Sequence, residues 1–210
     1  MKIITKPLSY LRENCYIYYD EVSKKAVIID PGFADESIER AVSENGLEVK
    51  AVLLTHGHFD HMGGADLCRA KFGAPVHAFE KEIGLAKTPE LNGSSYFTRK
   101  SVTVDDVNAF SDGSEFVFGA GKLKVIHTPG HTAGSVCFYD GENGVLFSGD
   151  TLFLESVGRT DFATGSREEL LKSINERLFC LPESVKVYPG HGPATDIGHE
   201  KAHNPFTDED

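Results

Sequence analysis

The chain has 210 residues and a formal net charge of −11, because 32 Asp and Glu outnumber 21 Lys and Arg. This acidic balance argues against a protein that binds nucleic acid mainly through phosphates, since such a surface needs excess basic side chains. The opening residues show no secretory-signal pattern, and no run approaches the ~18 apolar residues of a membrane span. We therefore expect a cytoplasmic protein with no nucleic-acid or membrane partner and a sizeable hydrophobic core.

The four cysteines lie far apart, and no two of them form a C-x-x-C pair. Each lies in an apolar segment, where a reduced and buried thiol is the expected state. This cysteine usage agrees with a reducing cytoplasm. The residues are Cys15, Cys68, Cys137 and Cys180.

Strand-like and helix-like segments alternate in the first half of the chain. Short β-branched and aromatic runs at residues 15–20 and 26–30 predict the two strands of a hairpin. Apolar residues at helical spacing predict a helix over residues 35–45. A buried strand, a helix and a short strand follow at residues 49–55, 63–72 and 75–78.

The second half of the chain is richer in strands. Residues 88–105 come first; they are polar and lack clear periodicity, which predicts a long loop or mobile flap. Ser166 and Glu169 predict a capping box at the start of a helix. Strand-rich halves that each carry helices predict two sheets packed face to face, with helices outside, in one domain. The predicted strands lie at residues 115–118, 123–127, 135–139, 144–148 and 185–188.

A histidine-rich motif, H-G-H-F-D-H, follows the predicted buried strand at residues 49–55. In a continued strand its side chains would alternate between two faces, whereas a loop can turn all of them into one cavity. Imidazole and carboxylate groups are ligands that zinc and iron prefer. We therefore predict metal ligands at His56, His58, Asp60 and His61.

Three later strand ends repeat this combination of glycine and a metal-binding side chain. His131 lies in T-P-G-H-T, Asp150 in S-G-D-T and His191 in P-G-H-G. Glycine beside each candidate ligand allows the backbone to approach an ion closely. Because all four loops follow predicted strands, we expect them to converge on one edge of the packed sheets.

These five histidines and two aspartates are too many donors for one tetrahedral ion with an open position. They suit two ions about 3.5–4 Å apart, with the two oxygens of Asp150 bridging the pair. Two cations acting on one water lower its pKa enough to supply hydroxide near neutral pH. The sequence therefore predicts a di-metal hydrolytic site.

The chain resembles the metallo-β-lactamase superfamily, and within it the short bacterial members of the glyoxalase II (hydroxyacylglutathione hydrolase) branch. The resemblance runs from D-P-G at Asp30, through THGHFDHMGG, TPGHTAGS, SGDTLF, VGRTDF and PGHGPATD, to N-P-F at Asn204. It implies a four-layer αββα sandwich of two mixed β-sheets with helices outside. It also implies one domain over residues 1–210, without the C-terminal helical domain that grips glutathione in longer members.

The resemblance further implies the ligand sets and the reaction. One ion would be held by His56, His58 and His131, and the other by Asp60, His61 and His191. Asp150 and a hydroxide would bridge them, and the hydroxide would attack a small-molecule thioester such as S-lactoylglutathione or a related acyl thioester. We take Asp60 and Asp150 as catalytic carboxylates and the ions as two zinc ions, with iron or manganese as alternatives.

Arg159 falls where the family places a basic residue that holds a glutathione carboxylate, so we predict that it binds substrate. Asp161 replaces the aromatic residue expected two positions later, which leaves another acyl thioester open. Arg159 and Asp161 could also form a local ion pair that orders the loop. Phe153 and Phe162 fit either the wall of a substrate cleft or the core.

Two alternatives to a thioester hydrolase remain open. A persulfide dioxygenase has the same fold and a similar G-R-T-D-F segment, and it uses a single iron held by two His and one Asp. Its last histidine motif is followed by Asp-Tyr, whereas His191 is followed by Gly-Pro, which favours the hydrolase.

A metal-stabilised binding module would have closed metal sites, but seven donors for two ions leave open positions. The oligomeric state is open.

Four further histidines are assigned structural roles. We predict that His77 is structural and that His127 is a core or supporting histidine. The i, i+4 spacing of His199 and His203 matches a zinc-binding pair, but their place in an acidic tail favours a solvated helix face.

Overall fold

The computed structural model describes residues 1–207 of the chain. Its strands are β1 (Lys2–Leu8), β2 (Glu13–Tyr19), β3 (Lys25–Ile29), β4 (Glu48–Leu53), β5 (Val76–Phe79), β6 (Asn108–Phe110), β7 (Glu115–Phe118), β8 (Gly121–His127), β9 (Val136–Asp140), β10 (Val145–Gly149), β11 (Leu152–Phe153), β12 (Ser156–Val157), β13 (Lys186–Pro189) and β14 (Thr195–Asp196). Its helices are α1 (Glu36–Glu44), α2 (Phe59–Met62), α3 (Ala65–Phe72), α4 (Ile83–Ala86), α5 (Ser94–Phe97), α6 (Arg167–Ser173) and α7 (Ile197–His203).

Two irregular helical segments complete the list: a 3-10 turn at Glu80–Glu82 precedes α4, and a π-helical turn at Ile174–Leu178 continues α6. Within residues 1–207, no helix has the length and apolar character needed to cross a bilayer.

The strands form two six-stranded mixed sheets and a small hairpin. The first sheet has the order β1-β2-β3-β4-β5-β6, antiparallel from β1 to β3 and parallel from β3 to β6. The second has the order β14-β13-β10-β9-β8-β7, in which only β10 and β13 run parallel. β11 and β12 pair with each other. Both sheets are therefore mixed, as predicted.

The sheets pack face to face through an aromatic layer. β2 shows how the sequence divides between layers: Tyr16 and Tyr18 face the second sheet, whereas Ile17 faces the helices outside the first. This alternation is the period-two geometry of a strand. The ring of Phe147 lies 5.1 Å from that of Tyr16 and 5.3 Å from that of Tyr18. Tyr18 donates a hydrogen bond to the buried Asp140 carboxylate at 2.8 Å, which satisfies its hydroxyl.

Helices cover the outer face of each sheet. α1 buries Ile38, Ala41 and Val42 against the first sheet, and α3 packs beside it. Leu170 and Ile174, from α6 and its π-helical continuation, pack against the second sheet with α7. The result is the four-layer αββα sandwich expected from the sequence.

The structure departs from the sequence-based expectations in the edge strands. β1 was not predicted, because it is an edge strand whose half-exposed Lys and Pro residues hide the apolar alternation. β6 is likewise a three-residue edge strand with two exposed positions. Residues 88–105, predicted as a loop or flap, contain α5 and a buried Asn92, which donates to the Val102 carbonyl at 2.8 Å.

Two predictions near the second helical layer need correction. Cys180 is exposed, because the π-helical turn before it adds a residue per turn and rotates the following chain away from the core. The capping box is only half formed: Ser166 accepts from the Glu169 N–H at 3.3 Å, but its own N–H donates to Gly130 at 2.7 Å. Cys15, Cys68 and Cys137 are buried and unpaired, as predicted.

The first helix depends on a side-chain cap. Asp35 accepts a hydrogen bond from the Ser37 N–H at 2.7 Å. We expect Asp35→Ala to lower the free energy of unfolding by about 1 kcal/mol, because that N–H loses its acceptor. Urea unfolding at constant metal content would measure this, with the exposed Glu44→Ala of the same helix as control, expected within about 0.5 kcal/mol of the parent. Equal losses in the two variants would contradict the capping role.

Candidate metal centre

The four predicted loops meet at one edge of the two sheets. The H-G-H-F-D-H motif follows β4 and leads into α2, and the other three loops lie at the ends of β8, β10 and β13. The sheets are joined there, because Val136 N–H donates to the Thr55 carbonyl at 2.9 Å. Glycine is required at position 190, since a Cβ there would collide with Asp150 Oδ1 and lie 2.7 Å from His61.

Three buried histidines form a first group of potential ligands. The ligand atoms of His56, His58 and His131 all lie within 4.8 Å of one another. His58 Nδ1 is 2.9 Å from His131 Nε2. His131 Nδ1 donates to the Arg159 carbonyl at 2.7 Å, so the neutral ring keeps its lone pair on Nε2, facing the group.

Asp60, His61 and His191 form a second group, again with ligand atoms within 4.8 Å of one another. The Nε2 atoms of His61 and His191 are 3.3 Å apart, and His191 Nε2 is 3.5 Å from Asp60 Oδ2. α2 supplies two of these residues on one short turn, whereas His191 comes from the loop after β13.

Asp150 lies between the two groups, with its side chain 12% exposed. Its Oδ1 is 3.4 Å from His61 Nε2, and its Oδ2 is 3.6 Å from His131 Nε2. One carboxylate therefore reaches a histidine of each group. All seven predicted ligands thus lie around a single cluster.

Asp30, which the sequence marked only as the start of the family resemblance, is also a residue of this site. Its Oδ1 accepts from the Thr55 N–H at 2.7 Å, and its Oδ2 faces the Thr55 hydroxyl at 2.5 Å and His61 Nδ1 at 3.0 Å. The Thr55 hydroxyl oxygen in turn lies 3.1 Å from His56 Nδ1. Asp30 therefore orients His61 directly and His56 through Thr55. The available signal was a charged residue closing an apolar strand, since a buried carboxylate needs partners.

Three buried polar atoms of the cluster have no hydrogen-bond partner: His56 Nε2, His58 Nε2 and Asp150 Oδ1. An unsatisfied buried polar atom costs about 1–3 kcal/mol. Nitrogen and oxygen lone pairs converging in one place are the donor set of a divalent cation, so the residues fit metal binding.

The two groups differ in their protonation. Burial, together with the neighbouring imidazoles, lowers the pKa of His58 to about 3 and holds the pKa of His56 well below its ordinary value. Burial also lowers the pKa of His61, but Asp150, Asp60 and Asp30 outweigh it and raise that pKa to about 10. The histidines of the first group are therefore neutral at pH 7, whereas His61 of the second group carries a proton and lies among carboxylates.

A cavity of about 400 Å³ opens over the cluster. Its floor includes His58, Asp60, His131, Asp150 and His191. Its walls are mainly apolar and include Phe59, Phe97, Phe153, Phe162, Leu11 and Val157. The sequence left the positions of Phe153 and Phe162 open, and the structure places both on the wall. Phe97 of α5 was missed, because its segment shows no periodicity.

Arg159 lines the same cavity and pairs with Asp161 through two hydrogen bonds of 2.7 Å. Its guanidinium also lies 4.3 Å from the ring centroid of Phe162. The structure thus contains the local ion pair considered as an alternative for Arg159. Both side chains are more than half exposed, so water screens the pair and its members can exchange partners.

The remaining predicted non-ligands lie outside the two groups. His127 stacks on Phe79 at 4.4 Å and donates to the Ala133 carbonyl at 3.0 Å, a core role. His77 packs against the ring of Phe116 at 5.1 Å. His199 pairs with the exposed Glu155 at 3.0 Å on the surface of α7.

Comparison with known proteins identifies the family. Residues 10–200 match the family model of the metallo-beta-lactamase superfamily. The chain belongs to the metallo-β-lactamase superfamily. Its curated relatives include the probable metallo-hydrolase YqgX of Bacillus subtilis, which is 38% identical over 98% of this chain and 97% of the relative. Hydroxyacylglutathione hydrolase GloC of Haemophilus influenzae is 35% identical over 98% of both chains.

Several solved structures superpose closely on this chain. The B3 metallo-beta-lactamase BLEG-1 gives a TM-score of 0.92 at 41% identity, covering 98% of this chain and 99% of that chain. TTHA1623 in a di-iron-bound form gives 0.87 at 35% identity, covering 97% and 99%. ETHE1 from Myxococcus xanthus gives 0.79 at 30% identity, covering 98% and 84%. The fold and the His/Asp cluster together support binding of a divalent metal.

The protonation difference predicts that metal loading releases protons. Because the pKa of His61 is raised to about 10, its ring is protonated at pH 7.5 and must lose a proton before Nε2 can bind an ion. His191 also has a raised pKa, since Asp60 and Asp150 outweigh its burial. We expect about one to two protons released when both groups fill.

Isothermal titration of zinc into metal-free protein in HEPES and in Tris would measure this release, because the two buffers have different ionisation enthalpies. Heats that are identical in the two buffers would contradict the protonated second group.

Proposed function

We propose that this protein is a di-metal hydrolase that cleaves a thioester, S-lactoylglutathione or a related acyl thioester. The observation that carries the proposal is the pair of three-residue donor groups joined by Asp150 beneath an apolar cavity. The similarity to the hydroxyacylglutathione hydrolase GloC supports the substrate class.

The proposed ligands of one ion are His56, His58 and His131, and those of the other are Asp60, His61 and His191, with Asp150 shared. The donor chemistry suits two zinc ions and also tolerates iron or manganese. When bound, such a pair supplies hydroxide near neutral pH and polarises a carbonyl oxygen. The two three-residue groups account for every histidine in the cluster, which supports two ions rather than one.

The chain itself orients the reactants. Asp60 and Asp150 lie on the cavity floor, where their carboxylate oxygens would accept hydrogen bonds from the attacking water and orient it towards the substrate. The Arg159 carbonyl fixes the His131 ring, and Asp30 fixes the His61 ring. These contacts hold the floor in one geometry before substrate arrives.

The apolar walls would hold the acyl group and exclude bulk water. A thiolate leaving group with a pKa near 8.5, about that of free cysteine, departs with little help from a general acid. We assign Arg159 to a substrate carboxylate, because its exposed pair with Asp161 can open at small cost. In this proposal residues 1–210 act as a single domain.

The direct test is hydrolysis of S-lactoylglutathione by protein reconstituted with zinc, with a chelated sample as control. We expect turnover that disappears with the chelator and returns with zinc. Absence of turnover in a fully loaded sample, with this substrate and with a simple acyl thioester, would refute the thioester hydrolase.

Asp150→Asn tests the shared carboxylate. The amide nitrogen replaces one carboxylate oxygen, so one of the two donor groups loses a metal ligand. The substitution also removes a negative charge that would offset the charge of the two ions. We expect hydrolysis to fall by more than about 100-fold and one metal equivalent to be lost, with the fold retained. Metal analysis and circular dichroism would accompany the kinetics, with the exposed Asp66→Asn as control. Unchanged turnover would exclude the bridging role.

A persulfide dioxygenase with one iron is the second candidate, and the likeness to ETHE1 supports keeping it. Oxygen uptake by iron-loaded protein with glutathione persulfide distinguishes the two activities. The hydrolase proposal expects no uptake above that of the metal-free sample.

A further inference from the structure

Glu82 is a buried carboxylate next to the first group of histidines. Its side chain is 1% exposed, and it lies in the 3-10 turn after β5. Its Oε2 accepts from the Gly57 N–H at 2.7 Å, and its Oε1 accepts from the Gly134 N–H at 2.8 Å. Glu82 therefore links two loops that are distant in sequence.

Both linked loops carry ligands of the first group. Gly57 lies between His56 and His58, and Gly134 follows His131 by three residues. One carboxylate thus holds the backbone of every segment that contributes to this group. Gly134 lies outside the segments that carry the second group, whereas Gly57 precedes Asp60 and His61 by three and four residues in the same motif.

The approach of Glu82 to these loops depends on glycine at both positions. A Cβ at Gly134 would lie 2.6 Å from Glu82 Oε1, closer than real Cβ contacts allow. A Cβ at Gly57 would lie 3.2 Å from Glu82 Oε2 and 2.8 Å from the Leu85 side chain. The two loops and the carboxylate therefore fit together with no room for a side chain at either glycine.

The second group has separate supports. Asn14 donates from Nδ2 to the carbonyls of Pro189 at 3.0 Å and Gly192 at 2.9 Å, on both sides of His191. His61 is oriented by Asp30. Because these contacts do not include Glu82, a change at Glu82 leaves them in place.

We propose that Glu82 is a positioning residue that sets the metal affinity of the His56, His58 and His131 site and acts far less on the second site, whose ligands have supports of their own. The inference rests on the ligand assignment of the proposed function, but it does not depend on which substrate is cleaved. Its physical basis is that loop positions held by a charged acceptor fix the spacing of three ligands before an ion binds.

Glu82→Gln is the primary test, because it keeps the side-chain shape. The carboxamide accepts from one backbone N–H and turns its own N–H2 group against the other, so one of the two loops is released. The variant is combined with His191→Ala, which leaves only the first site, and separately with His56→Ala, which leaves only the second. Zinc affinity is measured by competition with a chromophoric chelator.

We expect Glu82→Gln to weaken zinc binding by about 10- to 100-fold in the His191→Ala background. In the His56→Ala background we expect a change of less than about twofold, since no hydrogen bond of the second group is altered. Equal effects in both backgrounds, or no effect in either, would overturn the proposal. Thioester turnover is not used, so a different substrate would leave this result unchanged.

Glu200→Gln is the matched structural control. Glu200 is also fully buried, and its carboxylate accepts from the Glu155 N–H at 2.9 Å, the Asn204 amide at 2.8 Å and the Thr195 hydroxyl. We expect it to lower thermal stability while both zinc affinities stay within about twofold of the parent. Weaker zinc binding at the first site in Glu200→Gln would show that removing the charge of any buried carboxylate has this effect, and would contradict a specific role for Glu82.

Gly134→Ala provides a second route if Glu82→Gln does not fold. Its added Cβ would push the Glu82 carboxylate away from the loop of His131 while the charge remains. We expect the same selective weakening of the first site. Unchanged zinc affinity in a folded Gly134→Ala protein would overturn the proposal.

Discussion

The structure depends on bringing five imidazoles and two carboxylates together with little water between them. Such a cluster is unfavourable by itself, because burial removes every member from water and neighbouring imidazoles disfavour one another's charged forms. It is held by a surrounding set of oriented hydrogen bonds, from Asp30, from Glu82 and from the backbone carbonyl of Arg159. A bound divalent cation would complete the cluster by accepting its unpartnered lone pairs.

The sandwich supplies the rigidity that this arrangement requires. Tyr16, Tyr18 and Phe147 pack between the sheets, so the strands that end at the site cannot shift independently. The hydrogen bond between Val136 and Thr55 then ties the two sheets together beside the ligands. The loops can therefore remain irregular and carry glycine without losing their geometry.

The floor and the walls of the cavity have different functional meanings. The floor gathers His and Asp donors that suit a divalent cation, and such a site is compatible with hydrolytic and with oxygen-dependent chemistry. The walls, built from aromatic rings and Arg159, decide which molecule reaches the floor. The Arg159 side chain already has a carboxylate partner in Asp161, so the substrate carboxylate of the proposed function would have to displace a residue of the protein itself.

The sequence by itself determined the layered fold and the seven clustered donors, because strand periodicity and glycine-flanked His and Asp residues are local patterns. It did not show the roles of Asp30, Glu82 or Phe97, since these roles come from contacts with residues that are distant along the chain. Glu82 is a single charged residue in an ordinary segment until the fold places it between Gly57 and Gly134. Local spacing can predict which atoms could bind a metal, but only tertiary packing decides which hydrogen bonds hold them in position.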